Sequence, residues 1–412
     1  MRSPKSVRPD GRGGRDVRRL PAVIAALAGI ATVMGLGGGG ASADVPTGAS
    51  TGAISGVLTD QNGRPIYGIE VQAVPTEVTC PTGFFCGFQA PSSPNGQYTI
   101  AGLLPGSYQV SALDGNRSLP EGVVTVTAGA TGTLNVRLPP PAVPAGTGAR
   151  WAARDLAYLN AERARQGLPA GILLNTRWAT ECAAHDAYER DNGVLQHPES
   201  PGQRGFSLGG AWAGLNSILA EFVWTKSANP WENAPIHLIQ LFSPSLSVIG
   251  IDDSSGLQCA TTWPGLLRTP VLRDTVFTYP GNQSRGIPPS ENAAESPFVP
   301  GQFVGIPDGT TAGRELFVYL NQAGETGQAP VKILTARLSS RLGSVRIRWV
   351  DNSTPTLGPY LSGGILIPVR PLSGDTRYTA AVVIKDGLGK LSHSWSFTTA
   401  GPARGHLPPG HR

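Results

Sequence analysis

The chain has 412 residues, with 33 Lys and Arg, 28 Asp and Glu, 54 Gly, 37 Pro and a formal net charge of +5. That length exceeds what one hydrophobic core usually supports, so two or three domains are expected, with many turns and linkers between strands. The positive charge does not predict a nucleic-acid partner: seven basic side chains stand against two acidic ones in the first 43 residues, and beyond them the signs balance, which leaves no sequence-independent attraction for a phosphate backbone.

The basic start, Arg2 to Arg19, leads into an apolar run from Leu20 to Leu36, four glycines and Ala41-Ser42-Ala43. A positive stretch, an apolar stretch and an A-x-A site together predict a secretory signal peptide over residues 1–43, cleaved after Ala43. The alternative, an uncleaved anchor, needs about 20 apolar residues, and the run falls short of that. Arg18-Arg19 is a twin arginine, though its flanks support the folded-protein export route only weakly. No later run reaches membrane-spanning length. The expectation is a secreted, extracellular monomer with no transmembrane span after signal cleavage. Its partner is expected to be an extracellular or cell-wall ligand, with no nucleic acid involved. The cysteines suit export. They fall into two pairs, Cys80 with Cys86 and Cys182 with Cys259, and both disulfides are expected. A four-cysteine zinc site is disfavoured because no C-x-x-C arms occur.

From Gly52 the chain alternates apolar and polar residues between turn signals, as in AISGVLTD, IYGIEVQAV, NGQYTIAGLLPGSYQVSA and VVTVTAGATGTLNVRL. Period-two alternation broken by Asn-Gly and Pro-Gly predicts roughly seven short antiparallel strands, a small β-sandwich over residues 52–138. Ile54, Gly56, Val57, Asp60, Gly63, Pro65, Ile66, Gly68 and Val71, then Gly96, Tyr98, Ile100, Gly102, Leu103, Pro105, Gly106, Tyr108 and Val110, resemble the carboxypeptidase regulatory-like domain, a prealbumin-like sandwich. The resemblance implies a spacer or adhesive module, and in some relatives carbohydrate binding. Phe84, Phe85 and Phe88, at the Cys80–Cys86 loop, suit either sugar binding or packing on a neighbouring domain. Pro139 to Gly148 reads as a semi-rigid linker.

Residues 149–265 are the part with helical periodicity. Ala152, Leu156 and Leu159 predict an amphipathic helix closed by a left-handed Gly167. A second helix starts at Asn175 or Thr176, carries Trp178, Cys182 and His185 on one face and ends at Asn192-Gly193. A histidine on such a face reads as a hydrogen-bonded core residue. Trp212, Leu215, Leu219 and Phe222 suggest a further helical face, and Pro235 suits the first turn of a helix carrying Leu238, Leu241 and Phe242. Val248–Ile251 and Leu257–Thr261, around a polar turn, read as a hairpin. Gly205-Phe206-Ser207-Leu208-Gly209 matches the G-x-S-x-G nucleophile elbow, but the polar, proline-broken run before it is no buried strand, so a serine hydrolase is disfavoured.

Leu159-Asn160, Arg163, Gly167-Leu168, Leu173, Cys182-Ala183-Ala184-His185, His197, Gly214-x-Asn216, Trp231-x-Asn233-x-Pro235-x-His237 and Pro244 to Gly250 together resemble the CAP superfamily, the cysteine-rich secretory, antigen 5 and pathogenesis-related 1 group, in its bacterial form. The resemblance implies an α-β-α sandwich whose cleft is lined by two histidines and two acids and in some members binds a divalent cation. His197 and His237 fall on the two histidine positions. The acids do not: Leu215 stands where a glutamate is expected, and Ala234 holds the other acidic position. The implied ligand cleft comprises His197, His237, Trp231, Asn216 and Glu199. Two imidazoles make an incomplete Zn²⁺ site, for which His185 or Glu199 could supply a third ligand. With the acid pair missing, no catalytic residue is assigned and a non-enzymatic role is expected.

Strand-like runs return over residues 268–400, as in ELFVYL, VKILTARL, VRIRWV, GILIPVR, YTAAVVI and SHSWSFTT, and predict an Ig-like β-sandwich with a turn at Asp386-Gly387. Tyr279-Pro280, Gly286-Ile287-Pro288, Tyr378-Thr379 and Trp395 to Thr399 resemble the bacterial Ig-like domain that often follows CAP domains. Residues 401–412 read as a disordered tail. The fold class expected is therefore multi-domain: a β-sandwich, an α+β CAP-like layer, then an Ig-like sandwich. The expected function is binding of an extracellular or cell-surface ligand through the CAP cleft. The alternatives are a metal-dependent secreted hydrolase and a carbohydrate or cell-wall adhesin acting through the N-terminal sandwich.

Overall fold

The first strand, β1 (Gly52–Thr59), sets the N-terminal architecture of the computed structural model, which describes residues 50–77, 87–114, 117–226, 228–266, 275–293, 295–321, 330–361, 363–386 and 389–401. The expected signal peptide, the Cys80–Cys86 bridge with Phe84 and Phe85, Gly387 of the Asp386-Gly387 turn and the tail after Gly401 lie outside the described residues. After β1 come β2 (Glu70–Pro75), β3 (Phe88–Pro91), β4 (Gln97–Leu103), β5 (Gly106–Asp114), β6 (Arg117–Val126), β7 (Thr131–Thr133) and β8 (Val136–Arg137). One sheet runs β4-β1-β7 with β8 also on β1, and the other runs β3-β2-β5-β6. The alternation read from the sequence is realised side by side: β4 buries Tyr98, Ile100 and Leu103 and turns Gln97, Thr99 and Ala101 outward. The run VVTVTAGATGTLNVRL is divided among β6, β7 and β8, with Asn135 between the last two accepting through its Oδ1 from Val57 N at 3.0 Å, and β3 was not among the strands expected. Gly56 is required where this segment crosses β1, since a Cβ there would lie 1.8 Å from Leu134 O.

The central region contains α1 (Ala152–Arg165), β9 (Leu173–Leu174), α2 (Thr176–Asn192), α3 (Leu208–Asn216), β10 (Ser217–Ala220), α4 (Pro235–Leu241), β11 (Val248–Asp252) and β12 (Gln258–Thr261). The sheet order is β10-β12-β11-β9. Asn175 caps α2, its Oδ1 accepting from Arg177 N and Trp178 N, and Gly193 closes it in the left-handed conformation. The face carrying Trp178, Cys182 and His185 is fully buried, and Cys182 is bridged to Cys259 on β12. The helix expected across Trp212, Leu215, Leu219 and Phe222 ends at Asn216, and the chain continues as β10. Leu219 then reaches the core by pairing with Cys259, whereas Leu215 and Phe222 stay exposed. The hairpin and the proline-started helix occur where their turn chemistry placed them.

The C-terminal region contains β13 (Thr275–Tyr279), β14 (Ser290–Glu291), β15 (Ala312–Gly313), β16 (Leu316–Asn321), β17 (Lys332–Ser340), β18 (Gly343–Val345), β19 (Ile347–Val350), β20 (Gly364–Pro368), β21 (Arg377–Lys385) and β22 (Lys390–Thr398). Two four-stranded sheets, β13-β16-β20-β19 and β18-β17-β21-β22, bury Leu316, Val318 and Leu366 against Leu338, Val382 and Phe397, and β14 with β15 forms a separate ribbon.

The described residues are mostly β-rich with the helices gathered in the central region, and the buried side chains do not stop at the expected boundaries. Leu159, Ile239, Phe242 and Ile251 share a cluster with Tyr279, Phe317, Tyr319 and Ile365, and Ile66, Ile69 and Val71 share one with Trp178, Val248 and Cys259. Polar contacts follow the same seams: Tyr319 Oη donates to Ile239 O at 2.8 Å, and Arg177 donates to Pro139 O at 2.6 Å.

Candidate functional site

The local sequence places three histidines around α3 and α4. His185 sits on the buried face of α2, His197 follows the loop after that helix, and His237 lies in the first turn of α4. Gly214, near the end of α3, brings the first two together. A Cβ at this position would lie 2.2 Å from His197 O and 2.3 Å from His185 Cε1, so only glycine permits the approach. His197 donates from Nδ1 to Gly214 O at 2.8 Å. It is also close enough to His237 and His185 for their charges to bear on it: burial first, then those charges, hold its pKa below the ordinary imidazole value against the opposing pull of the Gly214 carbonyl.

His237 gains a carboxylate that the sequence did not place there. Glu295, 58 residues downstream, accepts from His237 Nδ1 at 2.8 Å and from the Ile236 and His237 backbone N–H groups at 2.9 and 3.3 Å. Ile236 N is a free donor at the start of α4, His237 N shares its proton with Ala234 O at 3.1 Å, and the helix dipole there also favours negative charge. Burial raises the Glu295 pKa, and these same bonds oppose the rise. Beneath it, Arg314 donates to Glu291 at 2.8 Å and to the Glu232 side chain at 2.7 Å, so the C-terminal region grips the central one through a buried charged network.

The other expected cleft residues sit elsewhere. Trp231 is buried in the core, where its Nε1 donates to Leu219 O at 3.0 Å and its ring meets Trp224 edge-on; it lines no cleft. Asn216 is half-buried and donates back to Trp212 O at 2.9 Å, closing the end of α3. Glu199 is buried and bonds to neither His197 nor His237: it takes His185 Nδ1 at 3.1 Å and Ser207 N at 2.9 Å. His185 is the core residue expected of it, but a charged one. Burial lowers its pKa, yet the hydrogen bonds to Glu189 and Glu199 and the surrounding negative charge outweigh burial and raise it to about 9. Ser207 is a helix cap whose Oγ accepts from Gly210 N at 2.9 Å, which is why the G-x-S-x-G match has no nucleophile behind it.

The hydrogen bonds fix two tautomers. A carbonyl and a carboxylate only accept, so His197 and His237 both carry their proton on Nδ1 and turn an Nε2 lone pair outward. Neither Nε2 has a hydrogen-bond partner among the described residues. A resident Zn²⁺ fits this set poorly. His185 and Glu199 are bonded to each other, and Glu295 is committed to three N–H donors, which leaves two imidazoles where at least three protein ligands are usual. Among the described residues no group of three or more His, Cys, Asp or Glu could hold a metal ion.

Residues 53–139 match the carboxypeptidase regulatory-like domain family. No curated protein matches the chain. Among solved structures, the chain is similar to the minor pilin GBS52 of Streptococcus agalactiae, at 19% identity over 23% of this chain and 48% of that one, with a TM-score of 0.18. It is also similar to the dioxygenase domain of a dioxygenase carbohydrate-binding protein fusion from Streptomyces sp. SirexAA-E, at 16% identity over 23% and 83% of the two chains, TM-score 0.19. The full-length major pilin SpaD of Corynebacterium diphtheriae overlaps 84% of this chain and 66% of its own at 5% identity and a TM-score of 0.16. The chain thus spans less than half the length of the first of these structures, and overlaps with scores this low carry no argument.

Proposed function

We propose that the protein is an exported, multi-domain binding protein whose central region is CAP-like and is followed by an Ig-like sandwich. In this reading it holds an extracellular or cell-surface ligand at the groove marked by His197 and His237. Export is supported by the Cys182–Cys259 disulfide, which suits an oxidising compartment. The carrying observation is the pair of fixed Nδ1 bonds: two imidazoles presenting Nε2 acceptors select a ligand that presents hydrogen-bond donors, such as the hydroxyls of a polysaccharide, and disfavour an anion. The test is co-sedimentation of the mature protein with insoluble cell-wall polysaccharide. His197→Ala with His237→Ala is expected to abolish binding. If Phe88→Ala abolishes it and the double histidine variant does not, the N-terminal sandwich is the adhesive surface instead.

Glu295 favours a second reading. A buried carboxylate that orients a largely buried imidazole still reached by solvent is the arrangement of a general base with its partner. In that case Glu295→Gln would lower the rate of hydrolysis of a bound polymer while leaving co-sedimentation unchanged. A wild-type protein that binds and releases no product removes this reading.

A further inference from the structure

Away from the histidines, the C-terminal sandwich has an open cavity of about 490 Å³, within the usual range for a small-ligand pocket. It lies where the chain changes sheets. Arg346 is the single residue between β18, in one sheet, and β19, in the other, and its carbonyl accepts from Val369 N at 3.0 Å as β20 ends. Arg370, one residue further, lines the same cavity. Its floor is ordered by Tyr378, which is buried, stacked on Phe397 with ring centroids 5.7 Å apart, and accepts from Ser373 N at 2.8 Å.

The charge of this cavity is one-sided. Both arginines line it together with Ser340, Ser344 and Ser373, and no Asp or Glu does. Neither guanidinium makes an ion pair or a side-chain hydrogen bond with any described residue, although most other arginines at structured positions in this protein are tied down, as Arg154, Arg163, Arg177 and Arg314 are. Two planar donor forks with hydroxyls beside them match the oxygens of a phosphate or carboxylate.

We infer that the cavity between Arg346 and Arg370 is a binding site for an oxyanion, a phosphate or carboxylate group, separate from the histidine groove and opposite to it in ligand preference. Such a group reaches the site either as a free ion or on a polymer. Calorimetric titration of the mature protein at low salt with inorganic phosphate, with citrate and with poly-L-glutamate separates the two sources. At least one probe is expected to bind, more weakly as salt rises. Arg346→Ala with Arg370→Ala is expected to weaken that binding tenfold or more, with an unchanged melting temperature because both side chains are exposed. Binding of free phosphate or citrate assigns a small-ion site; binding of poly-L-glutamate alone assigns a polymer-borne carboxylate. Absence of binding by all three, or equal binding by the double variant, overturns the assignment. The outcome is independent of His197→Ala with His237→Ala.

Discussion

Replacing Glu295 by alanine tests whether the downstream region completes the histidine groove. The carboxylate satisfies three N–H groups, Ile236 N, His237 N and His237 Nδ1, and its own side chain is almost fully buried. Truncation leaves Ile236 N and His237 Nδ1 without a partner where water enters poorly, while His237 N keeps Ala234 O at 3.1 Å. At about 1–3 kcal/mol for a buried donor that loses its partner, with one of the two partly reached by solvent, the loss is about 2–4 kcal/mol. Glu295→Gln keeps one carbonyl oxygen in place and should lose about half as much. Urea denaturation of the mature protein measures both values. A Glu295→Ala protein as stable as the wild type would refute the pairing.

Other consequences are equally direct. Gly214→Ala should destabilise by about 1–3 kcal/mol, because its Cβ meets the His197 carbonyl and the His185 ring, and tolerance with wild-type stability would mean the two histidines are not held together there. Cys182→Ser with Cys259→Ser opens a loop with a sequence separation of 77 and should cost about 4 kcal/mol, read by denaturant midpoint; an unshifted midpoint under oxidising conditions would argue against the bridge. His185 has a folded-state pKa raised to about 9, so its contribution is fully present below the unfolded value near 6.5 and disappears as pH rises through 9. That shift corresponds to at most about 3 kcal/mol. Glu189, Glu199 and Asp186 face this ring, and Asp186 has a pKa raised by burial, so the clean measurement is the difference between wild type and His185→Gln at pH 6 and pH 10. An equal pH dependence in both would place the charge elsewhere.

Much of the local structure was written in short-range chemistry. Asn175 and Gly193 bracket α2 because a side-chain acceptor and a left-handed glycine satisfy helix ends wherever they occur. Alternation in β4 fixed which residues face inward. The same local logic failed across α3 and β10: Trp212, Leu215, Leu219 and Phe222 fit a helical face, but pairing with β12 draws residues 217–220 into the sheet, a tertiary gain that spacing cannot register. Glu199 shows the reverse case, a carboxylate near the right place in sequence whose oxygens are taken by His185 and Ser207 N and not by His197 or His237.

By itself the sequence determined the order of β-rich and helical regions, the helix caps, the hairpin, the Cys182–Cys259 pairing and the two histidines worth watching. Only the tertiary structure decided that Trp231 is core, that Glu295 closes on His237, and that Arg346 and Arg370 share a cavity free of acids. The reason is the range of the forces involved. Caps, turns and alternation act within a few residues and leave a periodic trace, whereas a hydrogen bond across 58 residues leaves none, because nothing around Ser290 to Ser296 depends on its distant partner until the sheets have packed.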